Sequence, residues 1–291
     1  MEELFEYKIE DEEVCITKYL GSSKEVVIPE KIEGYPVTGI GTRVFFNNQL
    51  TNVNLSGVKS IGDCAFYSNN LLSIDLSGVK SIGDDAFKGN NLTSVDLTGV
   101  KSISDFAFSD NKLTSVDLTG VKSISDFAFS NNKLTSVDLT GVKSIGIGAF
   151  MNNKLTSIDL SGVKSIGDSV FYNNYLTNID LTGVDMIGHN TFSRNNLEAI
   201  ILPNQGKPCW PKADKFRARF RARTKEIFGF DEEELDNRNK KYVKKYLDKM
   251  RELYMKKLYK NSRKYGLIIE YITYYTYHES YSGMLKEAVA L

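Results

Sequence analysis

Six aspartates stand at intervals of 21 residues: Asp75, Asp96, Asp117, Asp138, Asp159 and Asp180. Carboxylates in such number offer acid–base chemistry, metal ligation or an anionic binding stripe. Each use needs a different neighbourhood. Acid–base work needs two carboxylates converging on a pocket, and the repeated ones lie on an open, periodic face. Calcium would need ligands wrapped around a point, whereas this row is linear and the nonapeptide pattern of calcium-binding β-rolls is missing. The other reactive side chains are sparse. His189 and His278 stand far apart in the sequence, too little material for a histidine-based triad or a zinc site. Cys15, Cys64 and Cys209 form no disulfide framework and fit a reducing compartment. The recurring Gly-Val-Lys-Ser lacks the order of a phosphate-binding loop. Asn54-Leu-Ser56 and Asn91-Leu-Thr93 match glycosylation acceptors, but both arise from the repeat. The reading is no enzyme and no cofactor, which leaves the stripe.

The stripe belongs to a repeat. Leucine recurs every 21 residues from Leu50 to Leu197, with a Val/Ile column from Val53 to Ile200 and a second leucine column from Leu55 to Leu202. Each unit thus carries L-x-x-V/I-x-L, read here as a strand. Alternation along that strand turns Val95 and Leu97 inward and Ser94, Asp96 and Thr98 outward. An isoleucine column from Ile61 to Ile187 and a phenylalanine column from Phe45 to Phe192 complete the apolar set. No unit can bury its own apolar side, so the core exists only once neighbours stack. The segment between isoleucine and phenylalanine, such as Ile103 to Phe108, is short enough for one helical turn on the convex side. An asparagine column from Asn48 to Asn195 is expected to satisfy backbone groups in the loops. A glycine column from Gly57 to Gly183 marks a turn.

These units resemble the BspA-like class of bacterial leucine-rich repeats, in which I-G-x-x-A-F precedes a strand and a turn. Ile61-Gly-Asp-Cys-Ala-Phe66 and Ile82-Gly-Asp-Asp-Ala-Phe87 carry the pattern, and Val27 to Ile40 resembles the family's first unit. The resemblance covers about residues 5–203. It implies a leucine-rich-repeat solenoid, with a parallel sheet on the concave face and short helical turns on the convex face. It also implies the surface-adhesin role for which the family is largely known.

Three regions follow. Residues 1–27 alternate around the acidic Glu10–Glu13 turn and read as a β-hairpin cap. Residues 28–203 are the solenoid. Residues 204–291 read as a basic, tyrosine-rich, mainly α-helical domain. A net charge of zero hides this division: from Pro203 onward there are 21 Lys+Arg against 12 Asp+Glu, and before it 16 against 25.

Charge and pattern together point to partners rather than substrates. Adjacent carboxylates one strand apart repel by about 1 kcal/mol in water-like dielectric. Either hydroxyls and solvent ions absorb this and recent duplication copied the residue, or a protein with a basic surface relieves it. The row would equally mimic phosphates and block a nucleic-acid-binding protein. The lysine row from Lys59 to Lys164 reads as a solvated edge that offsets the aspartates. In the tail, Arg217, Arg219, Arg221, Arg223, Lys244 and Lys245 with interleaved tyrosines make nucleic-acid binding an alternative. A small solvated helical bundle explains the same residues. The acidic start lacks the features of a secretory signal and no apolar stretch is long enough to span a bilayer, so the expected location is cytoplasmic.

Overall fold

The computed structural model describes residues 4–201 and, beyond them, Glu234 and Lys241 alone. The expected helical domain and its basic residues Arg217, Arg219, Arg221, Arg223, Lys244 and Lys245 lie outside the described residues.

The chain starts with an antiparallel hairpin, β1 (Phe5–Glu10) and β2 (Glu13–Tyr19). Asp11 and Glu12 between them have φ of 52° and 61°, the pair of left-handed residues whose twist matches the flanking strands. The hairpin buries Phe5, Val14 and Ile16, and Tyr19 lies 5.2 Å from the Phe45 ring, closing that end of the core. The strand β2 pairs in parallel with β5 (Tyr35–Ile40), so the cap continues into the solenoid sheet. The short β3 (Glu25–Val27) pairs with β6 (Asn52–Asn54), and β4 (Lys31–Ile32) with β5.

Each coil then contributes a two-residue strand at its Ser-Ile step. These are β7 (Ser60–Ile61), β8 (Ser81–Ile82), β9 (Ser102–Ile103), β10 (Ser123–Ile124), β11 (Ser144–Ile145) and β12 (Ser165–Ile166), ending with β14 (Met186–Ile187). Neighbours pair in parallel and in register, serine on serine and isoleucine on isoleucine. Two sheets result, β1-β2-β5-β7-β8 with β4 beside β5, and β14-β12-β11-β10-β9. At the break between them the Ser104 hydroxyl donates to the Ile82 carbonyl at 2.6 Å. In other coils the equivalent carbonyl receives a backbone N–H, as Ile61 does from Gly83 and Ile103 from Ser125.

Parallel strands are therefore present, but the regular ladder is not where L-x-x-V/I-x-L was expected to place it. That segment forms a ladder only at its ends, β3 with β6 and β13 (Asn178–Asp180) with β15 (Ala199–Ile201), plus an isolated bridge between Asp96 and Asp117. At the two ends the row position faces Val27 or Ile201; between them the one bridge that forms has Asp96 opposite Asp117. The inward set is as expected, with Val95 and Leu97 buried between exposed Ser94, Asp96 and Thr98.

The phenylalanine spine fills the core. Phe45 through Phe192 are fully buried, with successive centroids 5.1–5.8 Å apart and rings nearly parallel. Each ring contributes about 1.5–3 kcal/mol by burial, and every coil depends on the next to cover it.

The convex helical turn is replaced by something else. No helix is present over residues 4–201. Residues two before and two after a spine phenylalanine have left-handed φ, as at Cys64 and Ser68 around Phe66 or Phe106 and Asp110 around Phe108. At these two positions and at the phenylalanine between them the N–H groups run to the following coil. Cys64, Phe66 and Ser68 donate to the carbonyls of Asp84, Ala86 and Lys88 in the following coil. A single helical turn would leave its first four N–H groups without a partner of its own, and here each of these three finds one in the next coil.

Candidate functional site

Every aspartate of the first row does the same local work. Its Oδ1 accepts the backbone N–H two residues on: Ser77 to Asp75 at 2.9 Å, and Thr98 to Asp96, Thr119 to Asp117, Thr140 to Asp138, Ser161 to Asp159 and Thr182 to Asp180, each at 2.8 Å. This is the local side-chain turn that Asp and Asn favour, and it leads the chain into the glycine corner, where Gly99, Gly120 and Gly141 have φ of 91–96°. The structure thus brings all six predicted residues into one row, each exposed. Backbone and hydroxyl donation from Ser77 hold the Asp75 carboxyl below its usual range; for Asp96 and Asp138 the hydroxyls of Thr98 and Thr140 lead and the backbone N–H groups follow. A shallow groove of about 540 Å³ runs over the middle of the row, lined by Ser94, Asp96, Ser115, Asp117, Thr119 and Asp138 among others.

One coil departs from the pattern. Asn54 stands where the later coils have aspartate, and its Oδ1 accepts the Ser56 N–H at 2.9 Å. The corner therefore needs an acceptor but no charge.

The lysines expected to offset the aspartates make no ion pair with them. Among the described residues, Lys59 binds Glu13 at 2.6 Å and Lys164 lies 3.9 Å from Asp185; neither partner belongs to the row.

A second aspartate row passed unremarked in the sequence. Asp63, Asp84, Asp105, Asp126 and Asp168 precede the spine phenylalanines, and each accepts a backbone N–H from the following coil, Asp84 from Asp105 and Asp126 from Ile147 among them. Desolvation pushes the Asp84 carboxyl up; the Asp105 N–H opposes this, and the charges of Asp105, Asp63 and Asp85 add to the rise. The 21-residue period was the signal that marks this row. Among the described residues no group of three or more His, Cys, Asp or Glu side chains is arranged to hold a metal ion.

The family model described as "BspA type Leucine rich repeat region" matches residues 18–121 and 101–208, in six copies. The chain belongs to this family. Solved structures similar to this BspA-type chain include a leucine rich cell surface protein from Faecalibacterium prausnitzii, 23% identical over 69% of this chain and 75% of that one, with a TM-score of 0.45. A leucine-rich repeat protein from Eubacterium ventriosum is 21% identical over 67% and 68%, with a TM-score of 0.44. One from Bacteroides ovatus is 20% identical over 69% and 70%, with a TM-score of 0.40. No curated protein matches the BspA-type chain at a significant level.

Proposed function

We propose that this BspA-type solenoid is a non-enzymatic binding scaffold that captures a protein through a basic surface laid against the aspartate row. Leucine-rich-repeat solenoids generally serve as protein-binding scaffolds, and the open, periodic row suits that use. The observation that carries the reading is Asn54. It builds the same corner without a charge, so the corner does not require the six charges of Asp75, Asp96, Asp117, Asp138, Asp159 and Asp180. They stand one coil apart and repel one another, and cationic side chains of a partner would relieve that repulsion.

The test follows from the same comparison. Asp117→Asn with Asp138→Asn keeps both acceptors for Thr119 and Thr140 and removes two central charges. Affinity capture from the cells that make the protein is expected to lose its specific partners with this variant while circular dichroism shows an unchanged fold. An unchanged set of captured proteins would sink the reading. Family membership favours an adhesin as a version of the same reading, with the same row used outside the cell rather than by a cytoplasmic adaptor or inhibitor. Fractionation of the native host separates the two, since only the adhesin is found at the cell surface.

A further inference from the structure

Across the glycine corner from the aspartates runs a row of opposite charge: Lys59, Lys80, Lys101, Lys122, Lys143 and Lys164, each exposed and each directly before a serine of the regular sheet. Glu13 neutralises Lys59, and Lys164 lies near Asp185. The four between them, Lys80, Lys101, Lys122 and Lys143, have no carboxylate within 4.0 Å among the described residues. The side chains of Lys80, Lys122 and Lys143 reach toward the glycine corner of the next coil. The Lys143 Nζ donates to the Gly162 carbonyl of the next coil at 3.3 Å, and a methyl group on Gly99 or Gly141 would come within 3.4 Å of the Lys80 or Lys122 Nζ. The lysines therefore recur along the solenoid axis once per coil, each preceding a sheet serine.

We propose that this lysine–serine track binds an acidic polysaccharide of the uronic acid type, lying along the solenoid axis. The charge is complementary, and the track is long enough to engage several anions at once. A uronic acid chain carries a carboxylate on every ring, and the lysines recur at the step of the in-register parallel ladder beside them, about 4.8 Å. An extended acidic peptide fits less well, because side chains on one of its faces recur at about 6.6 Å. The serines suit sugar hydroxyls, since a hydroxyl both donates and accepts. No aromatic residue occupies the Val-Lys-Ser-Ile columns that form this side, so it lacks the stacking platform with which single-stranded nucleic acids are held. The aspartate row across the corner repels the same ligand, and this sets the two readings apart.

The full-length protein is applied to immobilised polygalacturonate, with neutral dextran and single-stranded oligothymidylate as comparison matrices, and eluted with a sodium chloride gradient. Retention on polygalacturonate alone is expected. The variant Lys80→Gln, Lys101→Gln, Lys122→Gln, Lys143→Gln should bind about tenfold more weakly or worse, with a shallower dependence on salt. The corresponding four Lys→Arg changes should keep binding. Asp117→Asn with Asp138→Asn should elute at higher salt, the opposite sign to its effect on capture of a basic protein, so either reading can fail alone. Three outcomes overturn the proposal: no retention on polygalacturonate, equal elution of the glutamine variant (charge elsewhere in the chain then being responsible), or tighter lysine-dependent retention on oligothymidylate.

Discussion

Asn132 occupies a point where four backbone groups of two successive coils converge. Its Nδ2 donates to the carbonyls of Phe108, Phe129 and Ser130, and its Oδ1 accepts the Leu113 N–H. The same net recurs from Asn69 to Asn195, whereas Asn48 donates to its neighbour Phe46, the carbonyl 24 residues back, that of Lys24, being taken by Thr51 and Asn52. Asn132→Ala orphans buried donors and acceptors at about 1–3 kcal/mol each, so a loss near 3 kcal/mol is expected in urea unfolding. Asn132→Asp should cost more, since a carboxylate would face three carbonyls. Asp96 and Asp84, one from each row, give opposite signs with pH. Asp96 has a lowered folded pKa, so its contribution is present above the ordinary value of 3.8 and is lost as pH falls through the folded value. Asp84 has a raised one, so stability is fullest below 3.8 and falls as pH rises through the folded value. At pH 7, Asp84→Asn should therefore raise the melting temperature and Asp96→Asn lower it slightly. Both differences should fade in acid. A melting curve at pH 7 in which Asp84→Asn is less stable would contradict the assignment.

Elements show where chain pattern and backbone part company. The columns, the spine, the hairpin and the asparagine ladder were legible because period alone defines them, and stacking gives each column one environment. The location of the sheet was not. Asp-Leu and Ser-Ile segments both alternate inward and outward, and which of them closes a ladder is decided by the fit between coils rather than by pattern along the chain. The turn before each spine phenylalanine was also opaque, because its left-handed position holds arginine, cysteine, aspartate, phenylalanine, glycine, serine or asparagine in different coils, only some of which favour that conformation. Phe106 and Phe127 occupy it at φ of 55°, where a bulky side chain is strained by about 1–3 kcal/mol. Their rings stack at 4.8 Å, the Lys88 ammonium covers Phe106 at 4.2 Å, and Gly148 leaves room beyond Phe127. A Cβ at Gly148 would collide with Cε1 and Cδ1 of Phe127, and its φ of 58° disfavours alanine as well. Gly148→Ala should cost about 2–3 kcal/mol, and adding Phe127→Ser should recover the collision while leaving the backbone part, about 1–2 kcal/mol. A double-mutant cycle that shows simple additivity would argue that the two positions do not meet.

At the scale of the whole molecule, a solenoid is held by the interfaces between neighbouring coils, and its stability is a sum of such terms. One interface differs from the rest. Between β8 and β9 the sheet is broken, with the Ser104 hydroxyl on the Ile82 carbonyl, while the phenylalanine spine runs on from Phe87 to Phe108 at 5.4 Å. The core is continuous there and the sheet is not, so this interface is the weaker one. The break falls between Lys80-Ser81 and Lys101-Ser102, inside the proposed polyanion track, where a hinge would alter the alignment of the ammonium groups. Ser125 occupies the equivalent place one coil on and still donates its N–H to Ile103, so a serine is compatible with a closed ladder and the hydroxyl contact is what differs. Ser104→Ala removes that hydroxyl and frees the Ile82 carbonyl for the backbone N–H. In hydrogen-exchange mass spectrometry, the original protein is expected to open in two units that meet at this break. The alanine variant should protect the amide of residue 104, open as a single unit and unfold at higher urea. Unchanged protection at residue 104 would show that the geometry of the coil, not the hydroxyl, sets the break.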